Sequence, residues 1–388
     1  VCRKDTTTRY NAPCFTDETQ MTRMIPRSIV AGLTLTCLLV PIGSAVAQSD
    51  AKTLIAEAYR QTKEAKTVGQ LTTIIDLCQQ ALKADATENQ VKYLSQLLGW
   101  SHNKRGEAIV EQSLAALQAD DRSQAIALDA EALADFEKSV EYDAKRWKSV
   151  HNRGVGYALI DQFVKAIEDF NAVIKLKPDY VNAWFNRAEI RYELDQLDLA
   201  IEDYTEVIRQ LPDDFGAYTG RGHANLQAGR IRVALNDYEH AAELKPSSAD
   251  ALVNRGRARH QLGMWELAAE DFREAIERDV KSAPAYQAAA WLMATCPDSR
   301  YRNQKLGLHA AERAVELAAA DAVTAKHLDT LAAALANAGQ FEKARGRLKQ
   351  AMKRATAEEA IELQQRLARY EAGEPYREAL SSETGQLR

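Results

Sequence analysis

The chain has 388 residues, enough for two or three compact domains, with only 18 glycines and 9 prolines and with 46% apolar residues. That balance favours ordered helices joined by short connections over disorder or a loop-rich fold. Basic residues number 50 against 55 acidic, a formal charge of −5, and no long basic run is there to neutralise a row of phosphates, so nucleic acid is not an expected partner.

The first feature along the chain is a leader. Arg23 and Arg27 precede an apolar run from Ile29 to about Ile42, and the small-x-small triplet Ala45, Val46, Ala47 follows, so cleavage is expected before Gln48. The run is broken by Pro41 and Gly43 and is too short for a span of about 20 residues, so a membrane attachment is expected only if the signal peptide is retained as an anchor. Residues 1 to 20 carry charges without helical period, and translation is expected to start at Met21 or Met24. Removing residues 1–47 takes away five basic and three acidic residues and leaves a mature charge of −7. The same cut removes Cys2, Cys14 and Cys37, leaving Cys78 and Cys296, 218 positions apart, with neither a disulfide framework nor a metal-binding spacing.

After the leader, 51–66 and 69–84 read as a helical pair from apolar residues at three and four spacing, and 89–119 with 123–142 as a longer pair. From about 147 to 282 the sequence repeats itself every 34 residues. Alanine recurs at Ala166, Ala200, Ala234 and Ala268, an aromatic follows by four at Phe170, Tyr204, Tyr238 and Phe272, and a small residue precedes at Gly154, Ala188, Gly222 and Gly256. Pro178, Pro212 and Pro246 close three of the units. A small residue on the first helix lets the second approach, the aromatic is expected to fill the space between neighbouring units, and no unit buries its apolar stripe alone. A divergent region covers 283–372: a unit begun by Tyr286 to Met293 is interrupted by CPDSRYRNQ, a last pair spans Leu328 to Met352, and a helix over 357–372 caps the stack ahead of a tail, 373–388.

This pattern resembles the tetratricopeptide repeat (TPR). The segments WKSVHNRGVGYAL, NAWFNRAEIRYEL, AAWLMATCPDSRYRN and LDTLAAALANAGQF make the whole mature chain similar to a group of exported bacterial TPR proteins. The resemblance implies an all-α, right-handed superhelical solenoid of antiparallel helix pairs whose first helices line a concave groove, and a non-catalytic role in binding other proteins. Similar units also occur in the O-GlcNAc transferase family, whose activity needs a separate α/β domain, and no βαβ pattern is found beyond residue 280. The alternatives are therefore a substrate-guiding protein of that type without its catalytic part, or a self-assembling structural spacer.

No phosphate loop, HExxH, GxSxG or kinase-like set is found, and the seven histidines form no metal-spaced pair. An enzyme, a cofactor, a metal and a small-molecule substrate are accordingly not expected. Two sets of residues carry the functional expectations. Within each unit an arginine (Arg153, Arg187, Arg221, Arg255) has an aspartate 18 positions before it and another 16 after it, drawn from Asp135, Asp169, Asp203, Asp237 and Asp271, so partly buried ion pairs to the second helix of the same or the preceding unit are expected to fix how units dock. One place ahead of the arginine, Asn152, Asn186, Gly220 and Asn254 form a broken asparagine ladder, a place where TPR arrays commonly bond a peptide backbone. With Lys148, His151, Asn182, Phe185, Glu189, Tyr192, His223, Arg257 and His260 they are expected to line the groove around an extended, mostly neutral segment, Phe185 and Tyr192 acting as anchors.

Overall fold

The computed structural model describes residues 50–318 and 323–379, and the leader, with its expected cleavage before Gln48, lies outside them. The chain is an all-α solenoid of helix pairs. It divides into two compact units, one ending at Ile190 and one beginning at Arg191, a division that falls inside the seventh helix.

Unit 1 holds α1 (Ala51–Thr62), α2 (Val68–Lys83), α3 (Glu88–Gln118), α4 (Arg122–Tyr142), α5 (Trp147–Leu159), α6 (Phe163–Leu176) and the first part of α7 (Val181–Glu193). Its first two helices start where the sequence supplies caps: Asp50 accepts from the Thr53 amide at 2.7 Å, and Thr67 with Gln70 forms a capping box on α2. Within the α5–α6 pair, Phe170 is fully buried against Gly154, where an added Cβ would sit 3.1 Å from the ring. Gly106 and Phe136 repeat that contact between α3 and α4 at a still closer approach.

Unit 2 continues with α8 (Leu197–Gln210), α9 (Phe215–Gln227), α10 (Ile231–Leu244), α11 (Ala249–Gln261), α12 (Trp265–Arg278), α13 (Ala283–Thr295), α14 (Gln304–Leu317), α15 (Ala325–Asn337), α16 (Phe341–Met352) and α17 (Ala357–Glu371). A Cβ on Gly222 would meet Tyr238 at 2.6 Å and one on Gly256 would meet Phe272 at 2.5 Å. The aromatic thus packs on its own unit's first helix and also at the seam with the next unit, as expected: Phe272 shares a core cluster with Ala285, Ala288 and Leu292 of α13. Tyr204 likewise reaches onward, to Gly220 of the following helix.

First-to-second helix turns pass through the left-handed region at Asp161, Asp195, Gly229, Gly263 and Gly339, with φ between 58° and 75°. Only glycine, and to a lesser degree Asp or Asn, enters that region readily, so the turn chemistry itself keeps the 34-residue register. The segment CPDSRYRNQ turns out to be an elongated turn: a 3-10 turn at Ser299–Tyr301 leads into α14, which pairs with α13.

Candidate partner-binding face

The first helices of the pairs carry the residues expected to line a groove, and the two units treat them differently. In unit 1, Asn152 and Asn186 are buried, 5% and 0% exposed, instead of lining a surface. The Asn152 amide donates to Asn103 Oδ1 at 3.1 Å and to Glu107 Oε1 at 3.2 Å, and Glu107 is met in turn by Asn103 and Lys104. Asn186 Nδ2 donates to His151 Nε2 at 3.2 Å, which leaves the proton on Nδ1, 3.4 Å from Asn152 Oδ1. These two amides are engaged in helix-to-helix bonding because an uncompensated buried amide is costly, and they are not available to a peptide backbone. Lys148, Asn182, Phe185 and Glu189 remain partly exposed on α5 and α7.

His151 is 1% exposed, and burial pushes its imidazole down to about 4. The unfolded chain therefore binds more protons between about 6.5 and 4, so the stability from keeping His151 neutral is full above pH 6.5 and is lost as pH falls. Unfolding measurements should find unit 1 about 2 kcal/mol less stable at pH 5 than at pH 7 from this group. His151→Gln should flatten that difference, and an imidazole that titrates near 6.5 by NMR would contradict the assignment.

Arg153, Arg221 and Arg255 follow one rule in their pairing with aspartate. Arg153 meets Asp169 at 2.7 Å, Arg221 meets Asp237 at 2.7 Å and Arg255 meets Asp271 at 2.6 Å, each arginine reaching the acid 16 positions on, in the second helix of its own pair. The acids are 5% exposed or less. Arg187 donates to Asn171 Oδ1 at 2.5 Å and lies over the Trp184 ring, while Asp203 is met within unit 2 by Arg191 at 2.7 Å. Asp135 does not wait for Arg153: it takes Arg105 at 2.7 Å and His102 at 2.8 Å. Burial alone would raise its carboxyl, but the bonds from His102 and Arg105 outweigh that and hold it below the ordinary range. Arg105 is the residue the 34-residue search misses; it stands one place before Gly106, as Arg153 stands before Gly154.

In unit 2, Tyr192, His223, Asn254, Arg257 and His260 are all partly exposed. Arg257 bonds Gln287 Oε1 at 3.3 Å, and burial pushes its guanidinium down. Lys326, on α15, keeps exposed surface, yet its ammonium is lowered by the surrounding chain and by Arg257. Arg257 and Lys326 thus bring two cations near each other on this side of unit 2.

The same face carries a non-helical segment of the chain itself. Beyond α17, residues 374–379 have no helix. The Glu378 amide donates to the Thr295 carbonyl at 3.0 Å, the Trp291 indole donates to Glu378 Oε1 at 2.7 Å, and His260 Nε2 lies 3.0 Å from Glu378 Oε2. Nothing in the sequence periodicity points to this contact, because the segment belongs to no repeat.

Among the described residues the cysteines Cys78 and Cys296 are both buried, which pushes the Cys78 thiol up to about 12 and that of Cys296 up to about 11, away from a reactive thiolate. Among the described residues no three His, Cys, Asp or Glu side chains are grouped to hold a metal.

The family model described as tetratricopeptide repeat matches residues 161–215 and 219–286. No curated protein matches the chain. Among solved structures, MamA is 21% identical, with 42% of this chain and 95% of that one covered at a TM-score of 0.39. A MamA from Desulfovibrio magneticus RS-1 is 19% identical over 46% of this chain and 96% of that one, at 0.40. YrrB, described as a TPR protein with an unusual peptide-binding site, is 19% identical over 47% and 90%, at 0.38.

Proposed function

We propose that this tetratricopeptide-repeat protein is a non-catalytic interaction scaffold of the bacterial cell envelope, which receives extended segments of other proteins along the face of its first helices. The observation that carries the reading is the non-helical segment 374–379, which lies on that face in unit 2 and is held by main-chain and side-chain bonds together. A surface that offers helix-end carbonyls, an indole N–H and paired cations suits an extended chain with a carboxylate. Fold alone does not assign this role, since helical repeats serve many ends.

A library of random displayed segments panned against residues 48–388 tests the reading. Binders are expected to weaken about tenfold in Arg257→Ala, the loss of one charge-assisted bond. Binders indifferent to Arg257→Ala and to the other exposed first-helix residues would move the surface elsewhere.

Export rests on the leader, and among the described residues no helix is long and apolar enough to cross a membrane. Mass spectrometry of the cellular protein should find an N-terminus at Gln48, outside the cytoplasmic membrane. An intact Met24 end on cytosolic protein would remove the envelope assignment without touching the scaffold role.

A further inference from the structure

We propose that the first-helix face of unit 2 is a receptor for extended segments presenting an aromatic, a cation and a carboxylate at three consecutive residues, and that the chain's own Tyr376, Arg377 and Glu378 fill it in cis. The inference rests on the reading above and adds to it both the partner's chemistry and a resident competitor.

The geometry gives each of the three side chains its own receptor. Arg377 donates to the Ala294 carbonyl at 2.8 Å and to Asn337 Oδ1 at 2.8 Å. Ala294 belongs to the last turn of α13, whose carbonyls have no partner within the helix, so a guanidinium there satisfies them and meets the negative end of the helix. Glu378 accepts from the Trp291 indole, lies 3.0 Å from His260 Nε2 and is anchored through its backbone on Thr295. The Tyr376 ring lies 6.0 Å from Trp291, and the Arg366 guanidinium sits over both rings, at 4.8 Å from Tyr376 and 5.3 Å from Trp291. Arg366 is in turn pinned by Asp329 at 2.5 Å. Burial alone would raise the Glu378 carboxyl, but His260 and Trp291 reverse that and hold it below the ordinary range, as expected of a seated carboxylate.

The segment reaches this place by its own local code. Gly373, at φ +73°, turns the chain back at the end of α17, and Pro375 prevents the helix from continuing. It then passes α15, α13 and α11 in reverse chain order, contacting Asn337, then Ala294 and Thr295, then His260. A tethered segment acts at an effective concentration of about millimolar, so a free partner of the same chemistry must displace it and binds more weakly than the bare face would allow.

The test uses the full chain, a fluorescent peptide with the sequence GEPYREA, and a variant carrying Tyr376→Ala, Arg377→Ala and Glu378→Ala. The variant should bind the peptide about tenfold or more tightly than the unmodified chain does, and Trp291→Phe in the variant should abolish that gain. Glu378→Gln alone, a near-isosteric change, should give a smaller gain and shift the Trp291 indole N–H resonance. Circular dichroism verifies that each variant is folded. Equal affinity of variant and unmodified chain, or no binding by the folded variant, would overturn the inference. Library-selected segments that bind the first-helix face equally in both proteins would overturn it too while leaving the scaffold reading in place.

Discussion

Asp271→Ala is expected to destabilise unit 2 by about 3–5 kcal/mol, the cost of removing one partner from a buried ion pair. The carboxylate is 2% exposed and serves two guanidiniums, Arg255 at 2.6 Å and Arg259 at 2.9 Å. Its loss leaves both cations facing each other in a half-buried place, where Arg259 keeps only Glu239 at 3.2 Å, whose side chain is 42% exposed. A surface pair such as Arg209–Glu206, by contrast, is worth about 0–1 kcal/mol. Because each helix pair contacts mainly its neighbours, the loss should appear first as faster amide exchange in α11 and α12. A cost well under 1 kcal/mol in denaturant unfolding would mean that these pairs are exposed charges and not docking elements.

In unit 1 the comparable expectation is Phe170→Ala, at about 3–5 kcal/mol, the cost of emptying a fully buried aromatic site. Phe170 fills the space that Gly154 leaves on α5, within a cluster that includes Val150, Val173 and Ala183, and its ring lies 5.6 Å from His151. Helices cannot close the void freely, because the α5–α6 approach is set along its whole length by Ala166 and by the Arg153–Asp169 bond. Val164→Ala on the same helix, 71% exposed, should stay within about 0.5 kcal/mol. Similar costs for the two variants would show that the aromatic place is not the keystone of the pair.

How much of this was legible in the sequence depended on whether an element obeyed the 34-residue period. The pairs from α5 to α12, their small residues, their aromatics and the acid 16 positions after each arginine are all visible in spacing. Spacing could not choose between the acids 16 and 18 positions away, which is a matter of which helix the guanidinium leans toward. Arg105 escaped because α3 continues to Gln118 and α4 begins at Arg122, so the pair is extended by about two turns on each helix and Asp135 falls 30 positions away. Likewise α14 was hidden by the long turn before it and by Gly307 and Ala311 standing where alanine and an aromatic stand elsewhere.

The groove was harder to read than the fold. Asparagine on a first helix is equally suited to a peptide backbone or to a neighbouring helix, and only packing reveals that Asn152 and Asn186 took the second course. The contact of His260 with Glu378 joins residues 118 positions apart through a segment with no periodicity, so it had no signature to find.

The scaffold reading is tested most directly by deuterium exchange on the full chain with and without a library-selected segment. Protection is expected on the first helices α9, α11, α13 and α15, with α10, α12 and α14 unchanged and exchange at residues 374–379 rising as the resident segment leaves. Protection confined to the second helices, or no protection by any segment that binds, would contradict the account.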